Sequence, residues 1–295
     1  MPWTEQPPRL DIGVIGTGRV GAVIGAALNR AGHKVKAASA VSELSRLRAE
    51  NLLPGVAIKP VNEVVVDKDL ILLTVPDDVL PELIKGLATT NAVSPGTFVM
   101  HTSGRLGIEV LEPLTKQGCL PLAIHPVMTF TGTSIDLNRL TGCPFGVTAP
   151  ETLRPVAEAL VVEIGGEPIW VPEENRSLYH TALAFGANNL ITLVNETVDL
   201  LSEVGIENPN AIVTPLLNAS LDNALRNSDA ALTGPISRGD VQTVKAHILE
   251  LKKVSPATVA AYKAMGRLTA ERALDSGMLN VDQAQALLQV LSDES

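Results

Sequence analysis

The feature that most constrains this chain is Gly16-Thr17-Gly18-Arg19-Val20-Gly21, set between an apolar run, Leu10–Ile15, and an amphipathic stretch, Arg19–Ala31. A second apolar run follows at Lys34–Ala38. Three glycines at this spacing mean little alone, but at a strand-to-helix junction each has a task. Gly16 makes the tight turn, Gly18 admits a pyrophosphate to the backbone, and Gly21 lets helix and strand pack closely. The start of the helix presents free N–H groups and the positive end of its dipole to an anion. The spacing therefore predicts a dinucleotide-binding unit, with Gly16, Thr17, Gly18, Arg19 and Val20 around the phosphates.

The same alternation continues. Apolar runs at 70–75, 97–101, 120–124, 145–148 and 168–171 alternate with helical stretches at 42–50, 80–87, 107–114 and 151–164. Short Val/Ile/Leu-rich runs are the pattern of strands buried on both faces, and strand–helix alternation predicts a parallel sheet covered on both sides. Beyond Pro172 no clear strand follows, and helices are expected at 173–204, 210–226, 241–253, 257–276 and 281–291. The fold class is therefore α/β: a Rossmann parallel-sheet domain over 1–171, then an all-helical domain over 172–295. Aromatic residues make up only 3%, so Ala, Val, Leu and Ile must build the core.

A net charge of −9 argues against a nucleic-acid partner, which requires a basic face. Two cysteines, Cys119 and Cys143, make neither a disulfide framework nor a metal motif, and no metal is expected. Met1–Arg9 carries Pro2 and Pro7-Pro8 instead of an apolar leader, and no run is long enough to span a membrane. The expectation is a soluble, cytoplasmic protein.

The end of the second strand bears on cofactor choice. NAD-binding units usually place a carboxylate there for the ribose hydroxyl. Here Ala37-Ala38-Ser39-Ala40-Val41-Ser42 has none, while Ser39, Ser42 and Arg46 or Arg48 suit a 2′-phosphate. NADP(H) is thus favoured over NAD(H). Other strand ends carry further candidates. Val75-Pro76 is placed to touch the ribose, with Asp77 or Asp78 expected to cap the next helix. His101-Thr102-Ser103 is placed to meet the nicotinamide, and His125 to bond a substrate carbonyl or carboxylate.

The long helix from Glu173 is apolar on most faces and is expected to be buried. His180, Asn188, Asn195 and Asp199 form one polar stripe along it. In an apolar setting such groups need partners, and substrate is one candidate. The loop Thr233-Gly234-Pro235-Ile236-Ser237-Arg238-Gly239-Asp240 offers Arg238 for a substrate carboxylate and Asp240 as a helix cap.

Together, His101-Thr-Ser-Gly-Arg, His125-Pro-Val-Met-Thr-Phe, Tyr179-His-Thr-Ala-Leu-Ala, Asn188-Asn189 and Thr233-Gly-Pro-Ile-Ser-Arg-Gly-Asp resemble the bacterial family pairing a Rossmann-like domain with domain of unknown function 2520. That family lies in the 6-phosphogluconate dehydrogenase-like superfamily. The resemblance implies NADP binding, a helical domain of the 6-phosphogluconate dehydrogenase C-terminal type, and a homodimer joined through it. Ketopantoate reductases, also similar, carry a catalytic lysine near the start of the long helix. Residues 117–244 contain no lysine, and His180 stands at that place.

The expected function is NADP-dependent reduction of a small 2-oxo acid (ketopantoate-like) or an imine. His180 is the expected proton donor, Asn188 orients the reacting group, and His125 or Arg238 holds a carboxylate, with Ser103 and Asn195 nearby. Two alternatives keep the fold: a non-catalytic NADP(H)-binding or sensing protein, and hydride transfer between NADP and a deazaflavin carrier.

Overall fold

The computed structural model describes residues 8–292, so most of the Met1–Arg9 reading lies outside the described residues. The chain forms two units, residues 1–186 and 187–295. The division falls inside one helix, later than the change of texture at residue 172.

The first unit runs β1 (Asp11–Ile15), α1 (Arg19–Arg30), β2 (Lys34–Ser39), α2 (Glu43–Leu52), β3 (Ala57–Ile58), α3 (Val61–Val64), β4 (Leu70–Leu73) and α4 (Leu80–Thr89). It continues with β5 (Phe98–His101), α5 (Glu112–Thr115), β6 (Leu120–Pro126), α6 (Ile135–Arg139), β7 (Pro144–Thr148), α7 (Arg154–Glu163) and β8 (Glu167–Trp170). α8 (Arg176–Glu203) begins in this unit and ends in the next. The short β3, α3 and α6 have too few residues to show a period and escape sequence reading.

The sheet order is β3-β2-β1-β4-β5-β6-β7-β8. The strand order reverses between β1 and β4, which opens the crevice where such sheets bind ligands. Strands β1 to β6 pair in parallel, but β7 runs antiparallel to β6, and β8 is parallel to β7. This corrects the expectation of a wholly parallel sheet. The β6–β7 connection holds only the single-turn α6, so β7 does not return as a parallel crossover strand would. Side chains of β4 alternate between two cores: Leu70 and Leu72 pack with α1 residues such as Val23 and Ile24, while Ile71 and Leu73 pack with Ile84 and Leu87 of α4.

The second unit contains the rest of α8, then α9 (Pro209–Asn227), α10 (Val241–Val254), α11 (Pro256–Asp275) and α12 (Val281–Ser292). Its core joins Val244 and Ile248 of α10, Val259 and Ala273 of α11, and Leu287 and Leu291 of α12. Asp240 caps α10 by accepting from Thr243 N at 3.0 Å, as the sequence predicts, and Ser255 caps α11 just before Pro256. The expected burial of the long helix is not met. Arg176 is the one buried residue of α8, while Leu178 is 73% and Phe185 55% exposed, and Leu225 of α9 is 78% exposed. An apolar pattern says that a surface wants covering; it does not say that the same chain covers it.

Candidate active site

Two groups of residues stand at the carboxyl edge of the sheet. The first is the turn after β1. Gly16 has φ +94°, a left-handed conformation that favours glycine, and its N–H donates to Ser39 Oγ at 3.2 Å. A Cβ at Gly21 would collide with the Gly16 carbonyl and the Thr74 hydroxyl, so helix and strands approach as closely as the motif requires. Thr17 is buried and donates to the Ser45 carbonyl at 3.0 Å, tying the turn to α2. Gly18 caps α1 without any side-chain hydrogen bond, and no atom lies within 4 Å of where its Cβ would stand. The turn is therefore fixed from behind and bare in front. Its free amides fit a pyrophosphate. Arg19 opens α1 beside Val20, and Val75-Pro76 follows β4 with Val75 against Gly16.

Other candidates near this turn are occupied. Ser42 is the N-cap of α2, locked in a capping box with Ser45, and Ser39 holds Gly16. Arg46 is exposed. Asp77 and Asp78 do not cap α4, whose N-cap is Val79; Asp77 instead lies 3.7 Å from Arg105.

The second group gathers around Arg176. Its guanidinium is 1% exposed and donates to Gly146 O at 3.3 Å, to Thr148 Oγ1 at 3.1 Å and to Ser103 O. No carboxylate pairs with it among the described residues, and its Nε has no partner. One helical turn on, Tyr179 OH lies 2.9 Å from His125 Nδ1 at the end of β6. The His180 ring meets the His125 ring edge-on at 5.9 Å between centroids. A Cβ at Gly104 would collide with His180 and stand 2.9 Å from His125 Nε2, and one at Gly146 would collide with the Tyr179 hydroxyl. Two glycines thus make room for three rings.

His101 plays a different part from the one expected. Its Nε2 bonds Gly107 O at 2.8 Å and its Nδ1 accepts from Ser103 N at 3.2 Å, so both ring nitrogens pin their own loop. Ser103 also holds this loop: its Oγ accepts from Leu106 N at 3.0 Å and its carbonyl from Arg176. Thr102 is half-buried between them. Glu173 caps the turn at Ile108–Leu111, accepting from Ile108 N at 2.8 Å and Glu109 N at 3.1 Å.

Burial lowers His101 to about 4, helped by Arg176 and opposed by the Gly107 bond. Burial likewise lowers His125 to about 4, with Arg176 and His180 adding to the effect. Both imidazoles are neutral at neutral pH, each with one donor and one acceptor nitrogen. Burial raises the Tyr179 phenol, and Arg176, 5.9 Å from the ring centre, opposes that. A neutral imidazole bonded to a phenol beside a buried cation can pass a proton through its ring.

The first unit thus brings together the predicted His125 and His180. Asn188 and Asn195 are exposed on the second unit's part of α8, and Arg238 donates to the Thr233 carbonyl within its own turn. None of these three is in the group described above. Sequence reading missed Glu173, Arg176 and the role of Tyr179. The spacing around Arg176 was the available signal: Glu173 and Tyr179 lie three residues from it and His180 four, and residues three and four apart share a helix face.

Two family models match the chain. Residues 3–126 match the Rossmann-like domain, and residues 143–269 match the Domain of unknown function DUF2520. The chain therefore carries a Rossmann-like domain followed by a DUF2520 domain. No curated protein matches it. Among solved structures, this DUF2520 protein is similar to BF3122 of Bacteroides fragilis, provisionally named an NADP oxidoreductase. That match has a TM-score of 0.77 at 20% identity, over 89% of this chain and 98% of that one. Protein TM1727 of Thermotoga maritima matches at 0.65 and 23%, over 90% and 99%. An imine reductase from a Pseudomonas species matches at 0.63 and 18%, over 96% and 100%. At such identities the DUF2520 protein shares their fold.

Proposed function

We propose that this DUF2520 protein is an NAD(P)H-dependent reductase of a small imine or 2-oxo acid. The observation that carries the reading is the His125–Tyr179 pair, backed by a buried, carboxylate-free Arg176, on the same sheet edge as a bare phosphate-binding turn. The fold shared with an imine reductase, and with a pyrroline-5-carboxylate reductase from Coxiella burnetii (TM-score 0.54, 18% identity), supports the imine arm.

When bound, a reduced nicotinamide supplies hydride to the electrophilic carbon of C=N or C=O. The nitrogen or oxygen of that bond then takes the proton from His125 Nε2, while His125 Nδ1 takes the Tyr179 hydroxyl proton. The tyrosinate left behind faces the Arg176 guanidinium and is reprotonated from water. His180, packed against His125, holds the ring and excludes water from it. This moves the donor role from His180 to His125, because His125 has a proton source behind it. A homodimer is proposed through α8 and α9, whose exposed Leu193, Leu216 and Leu225 a second copy would cover.

The test is NADPH oxidation with a panel of cyclic imines and 2-oxo acids, ketopantoate included, followed by loss of nicotinamide absorbance. Oxidation with one class is expected. Tight NADPH binding without oxidation across the panel would overturn the reading in favour of a binding or sensing protein.

A further inference from the structure

Asp77 and Arg105 follow the ends of two neighbouring strands, β4 and β5, whose last residues Leu73 and His101 are paired in the sheet. Their side chains meet without closing on each other. Arg105 Nε lies 3.7 Å from Asp77 Oδ2, beyond hydrogen-bond length, and the two side chains are 52% and 35% exposed. Among the described residues the Arg105 guanidinium makes no hydrogen bond. An exposed pair of this kind contributes little to stability, so stability does not account for it.

The place of the pair suggests a use. Gly104, buried and next to Arg105 in the chain, passes beside the proposed proton donor: a Cβ there would stand 2.9 Å from His125 Nε2. The Asp77 charge acts on His101, His125 and Arg176, so the pair stands within electrostatic reach of the whole cluster. The cluster's own cation is not open to a ligand. Arg176 is 1% exposed and donates to Ser103 O, Gly146 O and Thr148 Oγ1. Arg105 also lines an open groove of about 640 Å³, whose other charged residues, Glu109, Glu173 and Glu174, are acidic. A guanidinium holds a carboxylate best through two parallel N–H bonds. Asp77, facing one nitrogen at 3.7 Å, makes neither, so an incoming carboxylate that makes both displaces it.

We propose that Arg105 anchors the substrate's carboxylate and that Asp77 holds Arg105 only until substrate arrives, so that the protein selects acids over uncharged imines and ketones. The proposal rests on the reductase reading and narrows its substrate class. It gives the carboxylate to Arg105 in place of His125, which has a proton to deliver, and of Arg238, which donates to Thr233 O in its own turn. In a 2-oxo acid or a carboxylated cyclic imine the carboxylate lies within a few bonds of the reacting carbon. One anchor therefore also sets the C=O or C=N against His125 Nε2.

The experiment is steady-state NADPH oxidation with two matched pairs, pyrroline carboxylate against pyrroline and 2-oxobutanoate against butanone. It is run on the wild type, Arg105→Gln, Arg105→Lys and Asp77→Asn, with NADPH affinity measured alongside by fluorescence titration. The wild type is expected to favour the acid of at least one pair by ~10-fold or more in kcat/KM. Arg105→Gln is expected to raise the acid's KM at least ~10-fold, and to leave its uncharged match and NADPH affinity within about two-fold. Arg105→Lys keeps the charge without the fork and recovers part of the loss. Asp77→Asn removes the competing carboxylate and lowers the acid's KM. A wild type indifferent to the carboxylate, or an Arg105→Gln variant that changes both members of a pair equally or neither, overturns the anchor and leaves the reductase reading standing. A rise of the acid's KM in Asp77→Asn overturns the exchange with Asp77. Oxidation with neither pair, nor with any compound of the wider panel, removes the reductase reading and the anchor with it.

Discussion

The turn after β1 and the cluster around Arg176 sit on the same sheet edge and are built on opposite principles. The turn uses backbone and small residues: its polar contacts are amides, carbonyls and hydroxyls, and it leaves bare N–H groups for an anion. The cluster uses a buried cation and neutral imidazoles, so its state depends on pH and on burial. The difference matches the division of labour in the proposed reading, in which the turn binds and the cluster moves a proton. Each can be damaged without the other.

The largest effect is expected from Arg176→Met. It strips the donors from Ser103 O, Gly146 O and Thr148 Oγ1, and an unsatisfied buried acceptor costs about 1–3 kcal/mol. Urea unfolding should show a loss of about 3 kcal/mol or more, and the His125 titration seen by NMR should rise. A loss below about 1 kcal/mol would mean that the cluster does not depend on the cation.

Acid comes next. His101 and His125 both titrate near 4 in the folded chain, against 6.5 for the free side chain. Between these values the unfolded state binds protons that the folded state refuses. Stability is therefore fully present above about pH 6.5 and is lost as pH falls toward 4, by up to about 3 kcal/mol for each histidine. Denaturation at a series of pH values should show that slope, and His125→Gln should flatten it by about half. An unchanged slope in the variant would contradict the assignment.

A pair of glycine substitutions separates the two regions, each overpacking its site at about 1–3 kcal/mol. Gly21→Ala should abolish dinucleotide binding, because the new methyl meets the Gly16 carbonyl. Gly104→Ala should keep binding within about two-fold and lower turnover at least ~10-fold, by displacing His125 and His180. Identical behaviour of the two variants would erase the distinction. The smallest effect is expected at Asp240→Ala, which removes the cap of α10 and should speed hydrogen exchange only in that helix's first turn.

The turn was legible in the sequence because its requirements are local: a glycine pattern, a strand before it and a helix after it. The helices of the second unit were legible for the same reason. The cluster was only half legible. His125 and His180 stood out as polar residues in apolar company, but Arg176 looked like an ordinary first-turn residue of a long helix. Its burial is a tertiary fact, set by Gly146 and Ser103 far along the chain. Ser39, Ser42 and Ser103 show a further limit of the sequence: their hydroxyl oxygens accept from the backbone N–H groups of Gly16, Ser45 and Leu106, contacts that no local pattern announces. The direction of β7 was hidden because the 127–143 connection has no clear period, and the exposure of α8 because amphipathicity carries no record of which chain covers a face.

The proton path is tested most directly by Tyr179→Phe in a single turnover, with NADPH bound and the best compound of the panel. The account predicts a fall of about 100-fold in the rate of nicotinamide oxidation, typical of losing acid assistance, with NADPH affinity unchanged. Wild-type rates in Tyr179→Phe, alongside a comparable fall in His180→Ala, would contradict it and return the donor role to His180.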